Sequence, residues 1–275
     1  MLYLVGTPIG NMGDLSPRAV EVLKSVDHVA CEDTRRTGLL LAHFGIEAHL
    51  ISYHEHNKAS HGEKLLELLR SGANVALVSD AGMPSISDPG EDLVKACIEE
   101  NLEVTAIPGP VAGITALVLS GMDTRHYYFE GFLPVETKER KERLAVVSSM
   151  EMTTILYEAP HRFLKTLTDL VENGNGERRA AACRELTKRY EEVVRGTVEE
   201  LLKHFQEVPP KGEFVLILEG ARKKEKAVLT KPEREKVIHE LLGQGLSTKE
   251  IAKKLSEEWG ESKKALYAEV LEMIK

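Results

Sequence analysis

The sequence predicts an α/β protein made of two α/β bodies followed by a small helical one, and three observations predict it. Over the first 120 residues, short apolar runs alternate with helical patterns at regular spacing. Between 121 and 220 the apolar runs crowd together and pair less regularly with helices, and beyond 220 the chain becomes charged and then helical in pattern. With 275 residues, 42% of them hydrophobic, the chain is long enough for each body to bury a core of its own.

The first body, residues 1–120, reads as five strand-helix units. LYLVG precedes a helix opening at Ser16-Pro17, HVAC precedes TGLLLAHF, HLIS precedes SHGEKLLELLR, NVALVS precedes GEDLVKACIEEN, and EVTAI precedes VAGITALVLSG. Units of this kind build an open parallel sheet with helices on its faces. Ser16 offers an N-cap acceptor ahead of Pro17, and Ser60 with Glu63 reads as a capping box. The second body, residues 121–220, holds YYFEGFLP, ETKERKERLAVVSS, TTILYE, PHRFLKTLTDLV, RRAAACREL, EEVVRGT, VEELLKHF and EFVLILEG, which predict a mixed sheet with its own helices. Residues 221–275 read as a charged linker, ARKKEKAVLTKPERE, and a helix-turn-helix-like pair. Ser247 and Glu250 cap the first helix, which places Ile251, Ala252 and Leu255 on one face; the second follows Gly260 and carries Leu266, Val270, Leu271 and Ile274.

The formal charge of −8 counts against a phosphate-rich partner until it is divided along the chain. Residues 1–220 carry 23 Lys and Arg against 34 Asp and Glu, and residues 221–275 carry 13 against 10. A mildly basic end on an acidic body suits either a nucleic-acid arm or a solvated helical surface. Local cations are Arg35 and Arg36, Lys58, the run from Lys138 to Arg143, Arg178 and Arg179, and Arg184 with Lys188 and Arg189. The 138–143 run alternates with Glu136, Glu139 and Glu142, as an exposed helix of paired charges does. Cys31, Cys97 and Cys183 lie far apart without a Cys-x-x-Cys pair, which argues against a disulfide framework or structural zinc and for buried thiols. His54 and His56 lack a distant ligand set, so a metal there is not expected, and Tyr53 beside them is a candidate for base stacking. No run of about 18 apolar residues and no basic leader occurs, so a soluble cytoplasmic protein without a membrane partner is expected.

In an open parallel sheet, ligands bind beyond the carboxyl ends of the strands. The loops there are rich in Gly and Pro. The first, Gly6-Thr7-Pro8-Ile9-Gly10-Asn11, matches neither a dinucleotide fingerprint nor a P-loop, but it lets backbone approach a ligand closely. The fourth, from Asp80 through Gly82, Met83 and Pro84 to Asp88-Pro89-Gly90, is longer than the usual strand-to-helix connection of about 2 to 6 residues. Asp80 and Asp88 there could accept hydrogen bonds or attract a cationic centre; Asp88 also reads as a helix N-cap and Asp80 as a turn former. The fifth loop, Pro108-Gly109-Pro110 into Val111-Ala112, offers small residues on which a flat ring could lie.

The blocks LVGTPIGNMGDLSPRA, EDTRRTGLLL, SDAGMPSISDPG, IPGP, EGFLP, LYEAPHR and CRELTK, in this order and spacing, resemble the tetrapyrrole (corrin/porphyrin) methylase superfamily, and within it the bacterial branch that methylates small-subunit ribosomal RNA. The resemblance covers about residues 1–220, and the tail is similar to a helix-turn-helix domain that some members append. It implies two α/β domains with S-adenosylmethionine in the cleft between them, a homodimer, and 2′-O-ribose methylation of a cytidine in the decoding region of 16S rRNA, on free RNA or the 30S particle. Carried over by motif, it implies that Pro8, Ile9, Gly10, Asp80, Gly82, Met83, Pro108, Val111 and Ala112 hold the cofactor from the first body and Glu158 and Leu186 from the second. Glu158 is the candidate base and Arg162 the candidate partner of a phosphate or alkoxide. Where this chain has Ser79-Asp80-Ala81-Gly82-Met83-Pro84, small-molecule members carry a Gly-Gly-Asp-Pro type loop. A same-fold methyltransferase acting on a corrinoid or tetrapyrrole precursor, and a non-catalytic nucleic-acid-binding regulator, are the alternatives.

Overall fold

In the computed structural model, which describes residues 1–222, 230–259 and 261–274, ten strands form two five-stranded sheets. The first holds β1 (Leu2–Val5), β2 (His28–Cys31), β3 (His49–Ser52), β4 (Val75–Val78) and β5 (Val104–Ile107), all parallel in the order β3-β2-β4-β1-β5. Its alternating side chains feed two cores. Val5, Val29, Cys31 and Ala76 pack with Leu23 of α1 (Pro17–Ser25) and Leu41 of α2 (Thr34–His43) on one face. Leu2, Ala30, Val75 and Leu77 pack with Leu65 of α3 (Lys58–Arg70) and Leu93 of α4 (Glu91–Glu99) on the other.

The second sheet, β6 (Tyr127–Phe132), β7 (Thr153–Glu158), β8 (Arg179–Arg184), β9 (Glu192–Thr197) and β10 (Phe214–Leu218), runs in the order β6-β7-β10-β8-β9. It is mixed, because β6 and β7 pair in parallel and the other pairs are antiparallel. α6 (Thr137–Ser149), α7 (Pro160–Leu170) and α8 (Val198–Glu207) cover one face through Leu144, Phe163, Leu167 and Phe205. The opposite face, with Ile155, Ala181, Val215 and Ile217, is covered by Ala116 and Leu117 of α5 (Ala112–Ser120). The fifth strand-helix unit of the sequence therefore delivers its helix to the second sheet. α5 is apolar all round, so its sequence carries no stripe that could have chosen between the sheets.

By contacts the chain divides into Met1–Ala221, which contains both sheets, and Arg222–Lys275. In the latter, α9 (Lys231–Gly243), α10 (Thr248–Trp259) and α11 (Lys263–Ile274) share a core of Ile238, Ile251, Leu255, Leu266 and Val270. Part of the segment expected to be a linker, residues 223–229, lies outside the described residues. Its end is helical, since Thr230 and Glu233 form a capping box and Pro232 sits in the first turn. Leu271 and Ile274, expected on the apolar face of the last helix, are exposed.

Three local expectations are corrected. Ser60 does not cap a helix: α3 already starts at Lys58, the Ser60 hydroxyl donates to the Asn57 carbonyl at 3.2 Å, and Glu63 pairs with Arg70 at 2.6 Å. Asp88 is not an N-cap either, since that position belongs to Gly90 at φ 142°. Tyr53 is 1% exposed and packs against the α3 side of the first sheet, so it has no face to offer a base. Ser16 and Ser247 do cap, through hydrogen bonds from the Ala19 and Glu250 amides. All three cysteines are buried thiols. No described helix is long and apolar enough to cross a membrane.

Candidate functional site

Strand order brings the loops together. β4, β1 and β5 are neighbours, so the loops at their carboxyl ends meet. The first and fourth are zipped by reciprocal bonds, Thr7 N to Gly82 O at 2.9 Å and Gly82 N to Thr7 O at 3.1 Å. The first and fifth touch backbone to backbone, where a Cβ on Gly6 would lie 2.7 Å from the Gly109 Cα. Beside β4, β2 leads into Glu32 and Asp33, and the Asp33 amide donates to Asp80 at 3.2 Å.

Across from these loops, the second sheet presents the end of β7 and, because β10 is antiparallel to it, the start of β10: Phe214 sits opposite Glu158. Tyr157 ties the two sides. Its half-buried hydroxyl accepts a 3.0 Å hydrogen bond from the Gly113 amide, one of the unpaired donors at the start of α5. Burial pushes this phenol above the usual tyrosine range.

Between the two sides lies a cleft of about 350 Å³, within the size range of small-molecule sites. Ile9, Val111, Ala112 and Leu186 give it apolar walls, and Asp80, Gly82, Met83 and Glu158 also border it. Pro8 and Gly10 line a smaller neighbouring hollow of about 210 Å³, which shares Arg36 and Asp80 with the cleft. Pro108 and Arg162 line neither. Residue-by-residue reading missed Tyr157, Cys183 and the Glu213–Val215 segment. Tyr157 stood next to Glu158 at a strand tip, a usable signal; Glu213 to Val215 begin an antiparallel strand, where the carboxyl-end rule says nothing.

Glu158 is 2% exposed and well supplied with donors. Its Oε1 accepts from the Ala159 amide at 3.0 Å and pairs with Arg162 Nε at 3.3 Å, while Oε2 accepts from the Thr166 hydroxyl at 2.5 Å. Three of a carboxylate's roughly four acceptor sites are thus occupied. Arg162 also donates to the Leu133 carbonyl at 2.5 Å, and Thr166 accepts from Arg140, whose buried guanidinium pairs with Asp169 at 2.8 Å. Asp80 pairs with Arg36 at 3.1 Å.

Most of the other cations expected to meet phosphate have protein partners. Arg178 donates to the Glu219, Val147 and Ser148 carbonyls and to Asn175, and burial lowers its pKa to about 10, so it is a structural brace. Arg35 pairs with Asp33, Lys58 with Glu55 and Asp92, Arg143 with Glu130, and Lys188 with Glu185 and Glu213. Arg184 pairs with Glu192 and Arg179 with Glu219, both at the long end of the range. Arg189 is exposed and lies over the Tyr190 ring.

Residues 1–202 match the profile of the tetrapyrrole (corrin/porphyrin) methylases. The chain belongs to this family. This methylase is 46% identical over 273 residues to ribosomal RNA small subunit methyltransferase I of Synechocystis sp., covering 99% of the chain and 98% of that protein. It is 44% identical to the Bacillus subtilis protein of the same name, covering 97% and 92%. A cobalt precorrin-4 methyltransferase of cobalamin biosynthesis shares the fold, with a TM-score of 0.60 at 16% identity over 79% of the methylase and 94% of that chain. Methyltransferases of this family and fold use S-adenosylmethionine. The cleft fits such a molecule. Its apolar walls suit a flat ring, Gly82 at φ 89° brings backbone to the surface, and the carboxylates along it suit a sulfonium and an amine.

Proposed function

We propose that the chain is an rRNA (cytidine-2′-O)-methyltransferase, which transfers the methyl group of S-adenosylmethionine to the ribose 2′-oxygen of a cytidine in the decoding region of 16S rRNA. The observation that carries this reading is 46% identity across nearly the whole length of a relative named for ribosomal RNA of the small subunit. The cleft agrees with it. A non-catalytic regulator has no use for such a site, and the full-length relatives are named for RNA and not for a small molecule.

When bound, S-adenosylmethionine supplies an electrophilic methyl carbon on a sulfonium that becomes a neutral thioether on transfer. The protein's part is to hold and orient. Ile9, Val111, Ala112 and Leu186 would hold the cofactor's flat ring, with Asp80, Gly82 and Met83 also lining the cleft, and Pro8, Gly10 and Pro108 would keep their loops in shape. Glu158 would border the cofactor, and Arg162, which lines neither hollow, would fix the Glu158 carboxylate. Orientation of two reactants can supply up to about 7–11 kcal/mol of the barrier. Arg36, exposed and shared by both hollows, is the cation best placed for a phosphate next to the reacting nucleotide.

Residues 1–120 and 121–220 work as the two walls of the site and 221–275 as an appended module. The active form is a cytoplasmic homodimer, and the exposed apolar side chains Ile114, Val118 and Tyr127 on α5 and β6 support the dimer. Sedimentation of the purified chain tests the dimer. Transfer of labelled methyl to small subunits from cells lacking this protein, followed by mapping of ribose methylation, tests the activity: one modified cytidine is expected. Intact cofactor binding with no transfer to subunits or RNA would overturn it.

A further inference from the structure

Two large apolar side chains stand exposed at the cleft, one from each wall: Ile86 on the loop after β4, 47% exposed, and Phe132 at the end of β6, 51% exposed. They flank a point where the walls meet. Ile86 precedes Ser87 and Phe132 follows Gly131, and a Cβ on Gly131 would lie 3.2 Å from the Ser87 hydroxyl. Ile9, Val111, Ala112 and Leu186, already given to the cofactor, come from other loops, so these two side chains are left without a role.

Phe132 is aimed by an irregularity in the strand. β6 pairs with β7 as Phe129 to Ile155, then Gly131 to Leu156 and Phe132 to Tyr157, which makes Glu130 the extra residue of a bulge, and Gly131 holds φ 71°. Side chains alternate along a strand, so without the bulge a residue three places beyond Phe129 would face the other way. The bulge returns Phe132 to the face that carries Phe129 and Tyr157. Both phenylalanines meet the Tyr157 ring edge-on, with centroids 5.2 and 5.6 Å away, and the Gly113 amide holds the Tyr157 hydroxyl.

The backbone beyond Phe132 is clamped. Leu133 is buried and its carbonyl accepts from Arg162, while the Pro134 carbonyl accepts from Arg140 at 3.3 Å. Glu158 and Asp169 hold these two guanidinium groups in turn. The network that satisfies Glu158 therefore also fixes the strand end that presents Phe132. An apolar ring left half in water, yet held in one place by buried ion pairs, is preorganised for a flat partner.

We propose that Phe132 is the platform on which the base of the reacting nucleotide stacks, with Ile86 on the far side of that base. The proposal rests on the ribose-methylation reading above. To bring a 2′-oxygen to a methyl carbon inside a cleft, the nucleotide must leave its neighbours, and an unstacked base is held by stacking on an aromatic side chain. Arg36 borders the same cleft, so a ring surface and a cation lie where a nucleotide offers a base and a phosphate. Every base has a π face, so Phe132 supplies affinity and placement and does not itself select cytosine.

The test uses the full chain, small subunits from cells lacking it, and the variants Phe132→Ala, Phe132→Leu, Phe132→Tyr and Ile86→Ala. Turnover against subunit concentration is followed at saturating cofactor, with S-adenosylmethionine affinity read by calorimetry and assembly by sedimentation. Phe132→Ala should lower kcat/KM for subunits by about 5- to 150-fold, the worth of one base–aromatic stack, with cofactor Kd changed less than about threefold. Phe132→Tyr keeps the ring and should stay within about threefold of the wild type, whereas Phe132→Leu keeps apolar bulk without the ring and should fall with the Ala variant. Ile86→Ala should lose less than Phe132→Ala. An Ala variant within about twofold of the wild type, or a Leu variant as active as the Tyr variant, overturns the stacking role. A cofactor Kd raised about tenfold by Phe132→Ala would assign the ring to the cofactor, and a lost dimer would assign it to the subunit interface; either overturns the proposal and leaves the methylation reading standing. Should the Ala variant fail to fold, the comparison of Tyr with Leu decides alone. A wild type that transfers nothing to subunits overturns the reading and this proposal with it.

Discussion

On the β4 side of the cleft, the segment from Ser79 to Gly90 sets Asp80 and Asp88 beside Glu32 and puts two serines at positive φ, whereas on the β7 side Glu158, Thr166, Arg162, Arg140 and Asp169 pair with one another in an almost closed network. The first wall keeps strain and uncompensated negative charge, which a cationic ligand can relieve. The second wall is satisfied without a ligand. Local rules broken on one side of a site and obeyed on the other mark which side meets the chemistry and which supports it.

Removing one member of the closed network should have the largest effect on stability. Arg140→Ala removes the buried guanidinium that joins Asp169 to Thr166, leaving Asp169 paired with Lys165 and Thr166 with Glu158, and is expected to cost about 2–4 kcal/mol in urea unfolding; a loss below about 1 kcal/mol would mean that the two walls do not differ as described. Next comes the loop seam. Gly109→Ala puts a methyl against the Gly6 backbone at 2.8 Å and should cost about 1–3 kcal/mol, with S-adenosylmethionine affinity down about tenfold or more. Unchanged affinity in calorimetry would separate the seam from the cofactor site.

Smaller still is the effect of Arg36→Ala. Its pair with Asp80 is exposed on the arginine side, so stability should change by less than about 0.5 kcal/mol, while RNA turnover should fall and lose part of its salt dependence. Turnover equal to the wild type at low salt would remove Arg36 from the RNA-binding surface. The smallest effect is expected at Cys183, on the cleft floor of the satisfied wall. Burial pushes its thiol up to about 11, so iodoacetamide at pH 8 should leave it unmodified with or without cofactor, as read by intact mass.

Much of the first sheet was legible because each strand carried a short apolar run and each helix followed at the spacing that a parallel crossover needs. The loops were legible too. Gly6, Gly82 and Gly109 sit where backbone must meet backbone or turn at positive φ, and only glycine does this cheaply. The surroundings of Asp88 were not legible: in sequence it resembles a helix cap, and only the tertiary structure brings Glu32 from another strand and Tyr157 from the other sheet near it. The cations were misleading for a similar reason. Arg178 reads as a surface charge, yet it is half-buried and donates to carbonyl groups contributed by residues about 30 to 40 positions away.

The sequence by itself determined the elements: the two sheets with their parallel and mixed character, most helix starts, the three functional loops and the family. These depend on interactions between residues close in the chain, or on motifs that survive as strings. Tertiary structure alone decided which wall each element serves. α5 follows the last strand of the first sheet and packs on the second, the start of β10 enters the site because its antiparallel register places Phe214 beside Glu158, and the charge on Asp88 stays unpaired. The physical reason is the same in each case, since burial and electrostatic environment are sums over neighbours that sequence order does not specify.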